Sequence, residues 1–288
     1  MVTDTSAFFA AMLVLYNGEL LPADTVRLPL PNRGLYFNDG FFETLVWEPA
    51  GLRYLPYHVA RMQRAATALS LELPATLASA AALTATVQQL IGTAPEPVQR
   101  LRLQLWRSGG GLYAPATTQP DWLLTTQPFA AVETPVLQCD FATTVRTHSS
   151  SVSFCKGPNA LLYVLAAQER QRRRLDEVIL LSHEGYVAET VAAALGWIRQ
   201  KTIYAPTEAA GGVAGTRLAH LRTTAAALGL LWREGLYEPD ELLRAEAVFT
   251  ANVAGVRAVQ QIGTVEFHSA THPLLRRLCL AEATTPGG

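Results

Sequence analysis

Lysine is nearly absent from this chain: of its 23 Lys and Arg residues only Lys156 and Lys201 are lysines. A sequence that writes almost every cation as Arg yet keeps Lys in Ser153-Phe154-Cys155-Lys156-Gly157-Pro158-Asn159 points to a task that a guanidinium cannot do. An amine loses its proton and forms a Schiff base with an aldehyde, whereas a guanidinium stays charged. Read alone, Lys156 is equally a surface cation. Its setting favours chemistry, because it follows an apolar, β-prone run and precedes a helix expected over about residues 158–174, which places it at a junction of elements. Pyridoxal phosphate is the cofactor that most often uses such a lysine. It also needs a partner for its pyridine nitrogen and a cradle for its phosphate.

Other residues supply candidates for both. Gly211-Gly212-Val213-Ala214-Gly215-Thr216-Arg217 precedes a helix expected to run to about residue 228, and glycines before a helix N-terminus let backbone amides approach an anion. The same pattern is also that of a plain turn. Arg61 offers a bidentate clamp for a phosphate or is a surface residue. Glu189, at the end of an apolar strand, either holds a pyridine nitrogen protonated or is merely exposed.

The elements that must position these groups follow from periodicity. Residues 13–16 and 19–21 read as a hairpin around Asn17-Gly18, which tolerates the positive φ angles of a tight turn. Residues 32–39 read as a loop and 41–47 as a buried strand. Helices are predicted over about 58–71 and 77–91. Residues 98–106 alternate, with Leu101, Leu103 and Leu105 opposite Arg100, Arg102 and Gln104, as in a half-buried strand. A glycine-rich loop spans 107–115, and 121–126 is another strand. After a proline-containing stretch at 127–135, strands are predicted over 136–145, 177–181 and 187–190. Residues 197–198 and 203–204 pair as strands, and 247–250 is a further one. Short helices close the chain at 241–245 and 272–282.

The totals exclude several classes. A net charge of −1 with 16% charged residues offers no basic surface for nucleic acid. No apolar run reaches the length of a membrane span. Cys139, Cys155 and Cys279 are odd in number and widely spaced, which argues against a disulfide framework and for a reducing, cytoplasmic setting. Residues 1–11 lack the basic start of a secretory signal and read as a short extension. A cysteine hydrolase built on Cys155 and His148 lacks an orienting Asn or Asp. His268 and His272 lack a third metal ligand, so no metal is expected.

Together, Arg33-Gly-Leu-Tyr-Phe-Asn-Asp-Gly-Phe-Phe-Glu43-Thr44, His58-Val-Ala-Arg61-Met, Lys156-Gly-Pro-Asn159, Asp176-Glu177-Val-Ile-Leu-Leu181, Val187-Ala-Glu189, Gly212-Val-Ala-Gly215-Thr-Arg217 and Ala245-Glu-Ala-Val-Phe-Thr250 resemble the class IV aminotransferases. These are fold-type IV pyridoxal phosphate enzymes, among them branched-chain and D-amino acid aminotransferases and 4-amino-4-deoxychorismate lyases. The resemblance implies an α/β (α+β) protein of two domains: a small α/β domain (1–126), a linker (127–135) and a larger barrel-like domain (136–288), with the cofactor in the cleft between them. It implies that Lys156 is the Schiff-base lysine, Glu189 the pyridine-nitrogen partner and Arg61 a phosphate ligand. Thr216 and Arg217 would hold phosphate through backbone amides, with Thr250 a further candidate. A homodimer whose partner lends a loop to the site is also implied.

Departures fall at Ala193-Ala194-Leu195-Gly196, where the family usually has Ser-Asn-hydrophobic-Phe, at Ala160, where Tyr or Arg is frequent, and at Ala251, often Asn. The stretch Arg107-Ser-Gly-Gly-Gly-Leu-Tyr113 resembles the Arg-Gly-x-Gly-x-Arg-Gly-Tyr loop of the lyases. It suggests Arg107 for a substrate carboxylate, or as a loop arginine, and Tyr113 beside it. The expected reaction is the lyase step of folate biosynthesis on a small-molecule amino substrate, which eliminates pyruvate to give 4-aminobenzoate. Transamination of branched-chain or D-amino acids is the alternative, and a non-catalytic protein on the same scaffold is a third reading.

Overall fold

In the computed structural model, which describes residues 12–92, 94 and 97–284, the first tight turn lies where Asn17-Gly18 places it. Asn17 has φ +50° and Gly18 φ +90°, and the turn joins β1 (Leu13–Tyr16) to β2 (Glu19–Pro22) with Tyr16 opposite Glu19. The expected extension at 1–11 lies outside the described residues. Contacts divide the chain into two units, Met1–Ala130 and Ala131–Gly288.

The first unit continues with α1 (Arg33–Phe37), β3 (Gly40–Glu48), β4 (Gly51–Leu52), α2 (Leu55–Ala68), α3 (Ala80–Ile91), β5 (Gln99–Arg107) and β6 (Pro120–Pro128). Its six strands form one antiparallel sheet in the order β2-β1-β6-β5-β3-β4. The alternation of β5 is realised: Leu101, Leu103 and Leu105 are buried, and burying each stabilises by roughly 1.5–3 kcal/mol. Arg100 and Arg102 face out, with the Arg102 guanidinium 3.7 Å from the centre of the Phe42 ring. The stretch expected as a loop at 32–39 contains the one-turn helix α1. Asn32 caps it by accepting from Leu35 N at 2.9 Å, and Asn38 ends it in the left-handed region at φ +52°.

The second unit contains β7 (Cys139–Phe141), α4 (Ala160–Arg172), β8 (Glu177–Leu181), β9 (Val187–Thr190), β10 (Ala194–Arg199), β11 (Thr202–Pro206), α5 (Thr216–Ala227), β12 (Leu231–Gly235), α6 (Pro239–Leu243), β13 (Ala247–Asn252), β14 (Gly255–Val259), β15 (Gln261–Ile262), β16 (Val265–Glu266) and α7 (Pro273–Glu282). Two five-stranded sheets result, β12-β11-β10-β13-β14 and β16-β15-β7-β8-β9. Val136 forms an isolated bridge to Val259, linking the segment preceding β7 to the edge of the other sheet. Between the sheets lies a core of Ile179, Leu181, Val187, Leu195, Trp197, Val248 and Val259, which makes this unit barrel-like. On the outer faces, Leu221 and Ala225 of α5 and Leu275 and Leu278 of α7 pack against Ile198, Ala247 and Phe249. On the other side, Ala166 of α4 packs against Val178 and Leu180.

The strand predicted over 136–145 shrinks to β7 because side chains take its backbone donors. Asp176 Oδ2 accepts from Leu137 N and Gln138 N, and the Glu169 carboxylate accepts from Thr143 N and Thr144 N. These amides are thereby satisfied without a neighbouring strand.

Candidate active site

Lys156 lies on an irregular stretch after Phe154 and Cys155, both buried, and α4 begins only at Ala160, later than periodicity suggests. Gly157 at φ +134° is one reason, since that conformation is foreign to a helix. The segment is tied to the glycine loop by a hydrogen bond from Ala214 N to Phe154 O at 2.9 Å. That loop is anchored at its start, where the Thr147 hydroxyl donates to Ala210 O at 2.6 Å. Gly211, at φ +82°, approaches the backbone of His148 so closely that an added Cβ would lie 2.6 Å from the His148 carbonyl carbon.

Glu189 sits on β9 opposite Leu180 of β8, beyond a register shift that separates this pair from Leu181 and Val187, so it shares the face of Leu180 that packs against α4. Its Oε1 accepts from the Tyr163 hydroxyl at 2.6 Å and from Val213 N at 2.9 Å. A Cβ on Gly212 would come within 3.3 Å of the Glu189 carboxyl, so the glycine admits this acid against the loop. The lysine segment, the acid and the glycine loop thus form one hydrogen-bonded assembly within the second unit.

The glycine loop ends in α5, for which Gly215 is the N-cap with no side-chain cap. The first intrahelical bond is Ala219 N to Gly215 O, so the amides of Thr216 and Arg217 belong to the helix's donor end. The Arg217 guanidinium turns away from it, onto both oxygens of Glu282 at 2.8 Å and onto Asn252 O at 3.3 Å. Thr250 is buried on β13, on the face of Val248 and opposite Leu195. A helix start with its backbone donors, a buried acid and a lysine-bearing junction tied into one assembly have the chemistry to suit the phosphate, ring nitrogen and aldehyde of pyridoxal phosphate.

The remaining expected residues lie in the first unit. Arg61, on α2, forms a bidentate ion pair with Glu43 through Nε at 2.8 Å and through Nη2, and His58 Nδ1 is 2.7 Å from Glu43 Oε2. All three are buried. Burial alone would raise the Glu43 carboxyl, but the charges of Arg61 and His58 overcome it and lower it to about 2. Arg107 has all five N–H groups directed at protein acceptors: Asp39 Oδ1 and Oδ2, Ser70 O, Thr117 O and Leu69 O. Arg33 meets the same Asp39 at 2.7 Å and also reaches the carbonyls of Gly110, Leu112 and Tyr113. Two buried arginines on one carboxylate hold the 107–117 loop. Tyr113 at its tip is 89% exposed, its ring 5.6 Å from Phe37.

Cys155 is buried and donates to Val152 O at 3.0 Å, while His148 stacks on His183 with centroids 5.0 Å apart. Among the described residues no group of three potential metal ligands gathers, and His272 meets only Glu246, at 3.4 Å, as a charged neighbour. The departure at Gly196 has a steric cause. Phe249 lies over it, and a Cβ there would fall 2.4 Å from the ring. Ala194 and Ala251 are cross-strand partners, and a Cβ on Gly215 would come within 3.0 Å of the Ala194 methyl. Residue type alone does not mark Tyr163, Arg33 or Asp39. The only available signal for Tyr163 was its place three residues after Ala160 on one helix face.

A model of the amino-transferase class IV family matches residues 40–262. D-alanine aminotransferase of Bacillus licheniformis is 25% identical over 278 residues, covering 88% of this chain and 91% of that protein. Among solved structures, branched-chain aminotransferase of Thermoproteus uzoniensis, with norvaline, superposes with a TM-score of 0.84 at 20% identity, over 94% of this chain and 93% of that one. The 4-amino-4-deoxychorismate lyase of Pseudomonas aeruginosa superposes with a TM-score of 0.82 at 25% identity, over 96% of this chain and 100% of that one.

Proposed function

The chain belongs to the class IV aminotransferase family and is a pyridoxal phosphate-dependent enzyme, and from that premise we propose that it is a lyase that splits 4-amino-4-deoxychorismate into 4-aminobenzoate and pyruvate. The observation that carries this reading is the likeness to the Pseudomonas lyase along that protein's entire length, at 25% identity. When bound, pyridoxal phosphate supplies an aldehyde that condenses with amines and a ring that accepts the electron pair released at the amine-bearing carbon.

In this reading Lys156 Nζ would hold the cofactor and would take the proton from the substrate's amine-bearing carbon. Glu189 partners the ring nitrogen. The amides of Thr216 and Arg217 and the Thr250 hydroxyl would hold the phosphate, and Arg61, oriented by Glu43, is the candidate for it in the first unit. Arg107 acts as the anchor of the 107–117 loop, because its donors are already engaged. Tyr113, at the exposed tip of that loop, is the substrate-contacting candidate there. The protein acts as a homodimer, supported by exposed apolar side chains on α4 and on the 107–117 loop.

Holoenzyme given 4-amino-4-deoxychorismate is expected to release pyruvate and 4-aminobenzoate in equal amounts, and Lys156→Ala to abolish both. A second reading, D-amino acid transamination, is favoured by the 25% identity to the Bacillus enzyme. Conversion of D-alanine to its oxo acid with an oxo-acid acceptor, without cleavage of aminodeoxychorismate, would replace the first reading with the second.

A further inference from the structure

Tyr163 is a polar side chain at the centre of the assembly to which no step above assigns a task. It projects from α4 onto Glu189, and its hydroxyl lies 2.6 Å from Oε1, within the range of a strong charge-assisted bond. Val213 N donates to the same oxygen, so two donors converge there and fix the rotation of the carboxylate. Burial first, and then the negative charge of Glu189, push the phenol well above its ordinary range, so Tyr163 stays protonated and acts as donor. Ala160, one turn earlier on the same helix face, has no polar side-chain atom, so the group that α4 presents to this acid is the phenol.

We propose that Tyr163 is a positioning residue that acts through Glu189 to keep the cofactor's pyridine nitrogen protonated. This rests on the reading of Glu189 as the nitrogen's partner. Donors to a carboxylate stabilise its anionic form and lower its affinity for a proton. A proton shared between that carboxylate and a ring nitrogen then resides on the nitrogen, where it makes the ring a better electron acceptor. In a low-dielectric setting each such bond counts for more than in water.

The test is nitrogen-15 NMR of enzyme loaded with pyridoxal phosphate labelled at the pyridine nitrogen, at one fixed pH, for wild type, Tyr163→Phe and Glu189→Gln. Wild type is expected to show a protonated nitrogen. Tyr163→Phe, which keeps the ring, is expected to move the resonance toward the unprotonated position, a shift in the proton equilibrium of about tenfold or more. Glu189→Gln is expected to move it at least as far. If Glu189→Gln moves the resonance and Tyr163→Phe leaves it at the wild-type value, the proposal is wrong although the Glu189 reading stands. If neither moves it, the Glu189 reading fails and takes the proposal with it. Should Tyr163→Phe not load cofactor, Tyr163→His, which keeps a ring N–H donor, is measured in its place. A wild-type resonance there supports the proposal, and one as displaced as in Glu189→Gln overturns it.

Discussion

Arg217 places its backbone at the donor end of α5 and its guanidinium on Glu282 of α7, so one residue serves two ends of the structure. The two roles are separable by substitution. Arg217→Ala keeps the amide and leaves the largely buried Glu282 without its partner, a loss expected to cost roughly 3–5 kcal/mol. A thermal-unfolding cycle with Glu282→Ala should return a coupling of about 1–3 kcal/mol. Cofactor affinity should fall far less than stability does, and an equal fall in both would count against phosphate binding through this amide. The structural role of Arg107 is tested in a similar way. Arg107→Lys cannot reproduce five directed donors, so it should lower the melting temperature and open the 107–117 loop to protease.

At the scale of elements, β3 and α2 are held together by the buried cluster of Glu43, His58 and Arg61. Glu43 is lowered to about 2 from an ordinary 4.5, against the effect of burial and because of Arg61 and His58. Its stabilising contribution is therefore complete above pH about 4.5 and disappears as pH falls toward about 2. Glu43→Gln should destabilise the protein at pH 7 by roughly 3–5 kcal/mol and flatten the acid limb of a stability-versus-pH curve, as read by urea unfolding. An unchanged acid limb would mean that other carboxylates govern acid unfolding.

Elements with strong periodicity were legible in the residues alone: the β1–β2 hairpin through Asn17-Gly18, β5 through its alternating leucines, and α2 and α3 through their apolar spacing. Less legible were elements decided by distant partners. α1 depends on caps at both ends, and β7 is cut short by Asp176 and Glu169, which lie far along the chain. β12 is not visible in the sequence because it is an exposed edge strand whose Arg233 and Glu234 show no apolar alternation. For the candidate site, residue type and context mark Lys156 and Glu189 as candidates, and the link of their segments through the glycine loop is visible only in the fold. The engagement of Arg107 is likewise visible only there, because its acceptors at Asp39, Leu69, Ser70 and Thr117 come from separate loops.

For the molecule as a whole, no described helix is long and apolar enough to cross a membrane, yet apolar side chains lie on the surface. Leu161, Val164 and Leu165 form one exposed face of α4, on the opposite side from Ala166, which enters the core. Replacing Val164 with Glu on this face is expected to halve the mass seen by light scattering while leaving the fold intact. An unaltered mass would move the subunit contact elsewhere or remove it.

The ring of Phe249 over Gly196 makes these two cross-strand neighbours a single unit of change. Because Phe249 is fully buried among α5, α7 and the sheet, it has nowhere to retreat, and Gly196→Ala alone should cost roughly 1–3 kcal/mol. Shrinking the aromatic at the same time, as in Gly196→Ala with Phe249→Leu, should recover part of that loss. Any effort to graft a relative's bulky residue onto position 196 must therefore vary both sites at once, since a scan that alters one position at a time would discard every workable combination.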